Sequence, residues 1–84
     1  MSMNVIKKQR DGILNDLMQA ATTLQPLKSQ QGEEAYKKEV VKAMTDYATA
    51  LKSGKEYQDF CQTWGLDQDE FIGEVLDKAI ASIE

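Results

Sequence analysis

Three consecutive residues, Gly65-Leu66-Asp67, separate two helical patterns and constrain this chain more than any other feature. Before them, Tyr57, Phe60, Cys61 and Trp64 recur at spacings of three and four. A helix of 3.6 residues per turn brings such positions to one face. Gly65 follows at once, and a glycine there closes a helix in the left-handed conformation without a Cβ clash. Asp67 then offers a carboxylate to the free N–H groups of a new helix. Glu70 sits three residues on, as in a capping box, and Leu66 and Phe71 bracket the cap as a hydrophobic staple does. The stretch Tyr57 to Leu76 therefore predicts a helix, a tight corner and a second helix.

The same period runs through the rest of the chain. Ile6, Ile13, Leu17 and Leu24 form one stripe, with Leu14, Met18 and Ala21 beside it, so a helix is expected over 5–24 with frayed residues 1–4 before it. Arg10 falls on that stripe, which predicts that the first turns protrude from the core. Pro26 disfavours helix at Gln25, and 25–32 reads as a polar connection with Leu27 tucked back. Tyr36, Val40, Ala43 or Met44, Tyr47 and Leu51 mark a second long helix over 33–52, ended by Ser53-Gly54. Glu33 and Glu34 suit its positive end and Lys52 its negative end. A short helix over 55–64 and another over 68–83 complete the set. Phe71, Ile72, Val75, Leu76, Ala79, Ile80 and Ile83 give the last one a broad apolar face, as for a helix with two neighbours. Gly73 lies off that face, either for close approach or simply tolerated.

The expectation is an all-α fold: one domain over 1–84, a small antiparallel bundle of about four helices, two long, one short and one intermediate. Strand formers are sparse, and Pro26 is the single proline among 84 residues. A lone cysteine excludes an internal disulfide. Cys61 lies on an apolar face and reads as a small core side chain. No apolar run approaches the roughly 18 residues of a membrane span. The N-terminal MSMNVIKKQRDG lacks the hydrophobic block of a secretory signal, so a cytoplasmic location is expected.

Charge is unevenly placed. Residues 1–52 hold eight basic and six acidic side chains, whereas 53–84 hold two and eight. The last two helices therefore carry the negative excess. Asp69, Glu70, Glu74 and Asp77 are the candidate contacts for a protein partner, because an acidic face steers a basic protein. Solvated helix surface explains the same residues without function. The three tyrosines and Trp64 read as core-edge packing with wet polar tips, or as aromatic anchors for a partner.

Several chemistries fail on residue type. Two helices joined by a glycine turn suggest helix-turn-helix, but the second helix would present Asp69, Glu70, Glu74 and Asp77 to phosphates. Gln68 is its only base-reading side chain, so DNA binding is disfavoured. Asp67-x-Asp69 begins like a calcium loop, but Phe71 and Ile72 occupy its fifth and sixth positions. The chain has no histidine and one cysteine, which leaves no zinc set and no base for a thiol nucleophile. No metal, cofactor or catalytic residue is assigned, and an enzyme is not expected.

The pattern around ILNDLMQA, and the A-x-x-L-x-x-G-x-x-Y spacing of Ala48, Leu51, Gly54 and Tyr57, resembles the small helical immunity proteins that protect bacteria from pediocin-like bacteriocins. That resemblance implies a short antiparallel bundle. The acidic balance departs from that family's basic character, and no functional residue is carried over from it. The expected function is non-enzymatic protein binding, as for a small bacterial or mobile-element accessory, inhibitor or immunity-type protein. The alternatives are a nucleic-acid-associated protein, as charge mimic or weak binder, and a structural homodimer.

Overall fold

The structure, a computed structural model, describes residues 2–84 as five helices: α1 (Ser2–Thr23), α2 (Leu27–Gln31), α3 (Glu33–Ser53), α4 (Lys55–Trp64) and α5 (Gln68–Ile83). No strand occurs among the described residues. None of the helices is long and apolar enough to cross a membrane. The fold is a small helical bundle, as the periodicity predicts, with two differences in its elements.

The first difference is α2, which occupies the segment expected to be an irregular connection. Pro26 has φ −57° and ψ −24°, so its ring already holds the backbone in helical geometry. One turn forms from there. It is too short and too exposed to leave an apolar period in the sequence. Leu27 does tuck back onto the core, and the Lys28 ammonium lies 5.1 Å from the centre of the Tyr36 ring. Gly32 links α2 to α3 at φ 95° and ψ 166°, a region closed to residues with a Cβ. The second difference is the start of α1, which lies at Ser2 rather than near Val5. Met1 lies outside the described residues.

α1, α3 and α5 form the body of the bundle. Tyr36 donates to the Ala21 carbonyl, and Tyr47 to the Asp16 carboxylate fifteen positions and more away along the chain, so α1 and α3 run antiparallel. Lys52 pairs with Asp69, and Val41 shares a cleft with Ile80 and Ile83, so α3 and α5 are also antiparallel. Arg10 lies over Phe71, and the Ser82 hydroxyl is 3.0 Å from the Met18 sulfur. α1 and α5 are therefore parallel neighbours. The expected antiparallel packing holds for both of their contacts with α3 and not for the contact between them.

This topology explains α4. α3 ends where α5 must begin, and ten residues of helix carry the chain across that end of the bundle. Tyr57, Phe60 and Phe71 pack there with ring centres 6.1–6.3 Å apart. Leu17, Val40, Met44, Val75, Cys61 and Tyr57 are the largest side chains that are fully buried. Full burial of Leu17, Val40, Met44 and Val75 stabilises by roughly 1.5–3 kcal/mol each relative to exposure.

The corner after α4 has the geometry its residues imply. Gly65 is left-handed at φ 67° and ψ 34°. The Leu66 N–H donates to the Cys61 carbonyl at 2.8 Å, and the Gly65 N–H to Gln62 at 3.4 Å, the two bonds of a Schellman ending. The Asp67 carboxylate then accepts from the Glu70 N–H at 2.9 Å. The other end of α4 differs. Gly54 is extended, at φ −77° and ψ 139°, and Gln58 donates to the Lys52 carbonyl to cap α3. Around Gly73 there is open space, so it serves no close approach.

Gly65→Ala is expected to destabilise the fold by about 1–2 kcal/mol, the cost of a Cβ in left-handed backbone. Gly12→Ala, on an exposed flank of α1 with open space around it, is expected to stabilise by up to about 1 kcal/mol. Urea melts followed by Trp64 fluorescence check both. Equal midpoints for wild type and Gly65→Ala would remove the constraint assigned to this corner.

Candidate functional site: the acidic flank of α5 and its cleft

Asp69, Glu70, Glu74 and Asp77 are all exposed on α5. At about 100° per residue they span roughly 140° of the helix circumference, too wide for one patch. Asp69 faces α3 and forms an ion pair with Lys52 at 2.6 Å. Their side chains are 77% and 44% exposed, so this pair contributes at most about 0.2–1 kcal/mol. It partly neutralises the carboxylate nearest α3. Glu70 and Glu74 turn toward α1, and Asp77 stands between the two edges. Among the described residues, none of these last three is ion-paired.

Glu70 and Glu74 border a cleft between α1 and the corner after α4. One lobe, about 240 Å³, is lined by Arg10, Leu66, Asp67, Glu70, Phe71 and Glu74, with Gly65 at its rim. A second lobe, about 430 Å³, is lined by Asn4, Ile6, Lys7, Arg10 and Leu66. Arg10 and Leu66 belong to both, so the lobes adjoin at these two side chains. The α1 bank carries Lys7 and the α5 bank carries carboxylates.

Arg10 explains the cleft's shape. It occupies the apolar stripe of α1 between Ile6 and Ile13, and its guanidinium carbon lies 5.7 Å from the centre of the Phe71 ring. That separation suits a cation–π contact. Its Nε is buried and meets no acceptor among the described residues. A long cationic side chain thus stands where the packing pattern calls for an apolar one, with its guanidinium over Phe71 and its length lining both lobes. Sequence reasoning noted Arg10 on the stripe but did not place it beside Glu70 and Glu74. Its position on an otherwise apolar stripe was the available signal. Lys7 and Leu66 became part of the site only through tertiary packing.

The aromatic residues divide. Tyr36 and Tyr57 are buried, and their hydroxyls donate to the carbonyls of Ala21 and Gln68 rather than to water. The expected wet tips are therefore wrong for these two, because each hydroxyl reaches a backbone acceptor on a neighbouring element. Tyr47 is 37% exposed and donates to Asp16 at 2.8 Å. Trp64 is half-buried beside Phe60, their ring centres 6.4 Å apart. Cys61 is fully buried, as its position on the apolar face implies. No cluster of three or more histidine, cysteine or carboxylate side chains is placed to hold a metal among the described residues.

Comparison with protein-family models, curated proteins and solved structures finds no match to this chain.

Two tyrosines make the fold sensitive to alkali. Burial pushes the Tyr57 phenol well above its ordinary value of 10, with the neighbouring Cys61 adding to the rise. Burial and the Asp16 carboxylate raise Tyr47 in the same direction. The folded chain thus keeps these protons after the unfolded chain has released them. Their contribution is complete below about pH 10 and is lost as pH rises above it. Urea stability measured from pH 8 to 11.5 is expected to fall above about pH 10, and less steeply in Tyr57→Phe. Identical slopes for wild type and variant would show that Tyr57 is not the responsible group.

Proposed function

We propose that this chain is a non-enzymatic protein-binding module, of the accessory, inhibitor or immunity type, that acts in the cytoplasm by docking a basic partner protein on α5. One observation carries the reading. Glu70, Glu74 and Asp77 stand exposed on α5, and none is ion-paired among the described residues. They lack an ion pair to displace among the described residues, so a basic surface gains attraction there. The helix beneath them is held by Phe71, Ile72, Val75 and Ala79, all buried, which makes it a firm platform. Exposed carboxylates of this kind act chiefly on encounter rate and selectivity, so binding is salt-sensitive.

Asp69 is the weakest of the four proposed contacts, because Lys52 already meets its carboxylate. Affinity capture from the native host, with Asp69, Glu70, Glu74 and Asp77 changed together to Lys or Ser, tests the proposal. The expected result is a partner recovered by wild type, released as salt rises, and lost from the variant. Restoring Asp69 alone is expected to recover little. A partner retained undiminished by the quadruple variant overturns the acidic-flank proposal.

A further inference from the structure

α1 begins before the level at which α5 begins, at the end of the bundle that α4 crosses. It runs parallel to α5 with Arg10 level with Phe71. Arg10 is eight residues into its helix and Phe71 three into its own, so α1 extends about five residues further. At a rise of 1.5 Å per residue that is roughly 7 Å. This overhang carries Val5, 44% exposed, and Ile6, which packs only partly against the core. It also forms one bank of the cleft described above.

The cleft carries both signs of charge about an apolar centre. α1 contributes Asn4, Ile6 and Lys7 to its lining, and the corner after α4 and the start of α5 contribute Leu66, Asp67, Glu70 and Glu74. A partner filling both lobes would meet Lys7 and Arg10 as well as the carboxylates, whereas a purely basic one is confined to the outer edge of the α5 bank. The occupant must itself present a cation, an apolar strip and a carboxylate bank in the opposite order. The same patch rotated by a two-fold axis does so, because an isologous contact places residue i against j and j against i.

We propose that a second copy of this chain occupies the cleft, with the overhanging turns of each α1 seated against the α5 bank of the other. Lys7 of each copy faces Glu70 and Glu74 of its partner, while Ile6 and Leu66 close over one another. The proposal deepens the preceding one, since it rests on Glu70 and Glu74 being contact residues. Asp77 lines neither lobe and belongs to the first reading alone. Self-association and docking of a basic protein then compete for the same two carboxylates.

Sedimentation velocity of the full chain, from about 1 μM to about 1 mM, is the test. A dimer is expected that weakens as salt rises. Lys7→Glu alone, and Glu70→Lys with Glu74→Lys, each set like charges face to face and are expected to weaken it about tenfold or more. An equimolar mixture of the two variants restores both contacts and is expected to dimerise like wild type. That recovery also shows that neither variant merely misfolds. A monomer across the whole range overturns the inference, as does a dimer indifferent to both variants or a mixture that stays monomeric. Capture of a basic partner that is intact in Lys7→Glu and lost in Asp77→Lys, from a chain that never dimerises, overturns only this inference. A charge-swappable dimer that captures no partner overturns only the preceding one.

Discussion

The ring of Tyr57 is buried where the short helix crosses the end of the bundle, and its hydroxyl donates to the Gln68 carbonyl in the first turn of α5. The rest of the architecture depends on that clamp. α1, α3 and α5 can share one core only if the chain leaving α3 is returned to start α5 alongside it. α4 does this, and Tyr57 packs on Phe71 while Phe60 packs on the other side of the same junction. The Schellman ending at Gly65 and the Asp67 cap define the angle of the turn, and the aromatic cluster fastens it. An 84-residue chain has little core to spare, so one buried tyrosine with a satisfied hydroxyl is a large share of its stability.

Placing α1 and α5 side by side in parallel has a consequence for function. It brings the basic start of the chain against the acidic start of the last helix. Arg10 sits at the meeting point, over Phe71, and lines both lobes of the cleft. Its two banks inherit opposite signs from the uneven charge of the two halves of the chain. Both proposed binding modes draw on the same carboxylates, so whichever partner is present sets the state of the other surface.

Much of this was legible in the residues themselves. α4 and α5 begin and end where the periodicity and the Gly65-Leu66-Asp67 punctuation place them, because glycine, apolar contact and cap act locally. Cys61 was readable as buried from its place on the apolar face. α2 was not readable, since a single exposed turn begun by Pro26 makes no apolar pattern. The tyrosine hydroxyls were misjudged for a related reason: their acceptors, Ala21 and Gln68, lie on other elements. The four candidate carboxylates were legible as acidic and exposed. Their division, with Asp69 toward Lys52 and Glu70 and Glu74 toward Arg10, was not.

The sequence by itself determined the helices, their apolar faces, the corner before α5 and the negative excess of the last two helices. Each follows from interactions spanning a few residues: 3.6-residue periodicity, left-handed glycine, side-chain capping and fixed charge. Only the tertiary structure decided that α1 and α5 lie parallel, that Arg10 lines a cleft between them, and which carboxylates meet a cation. Those outcomes depend on which surfaces touch across distant parts of the chain, and that is settled by packing volume rather than by local pattern.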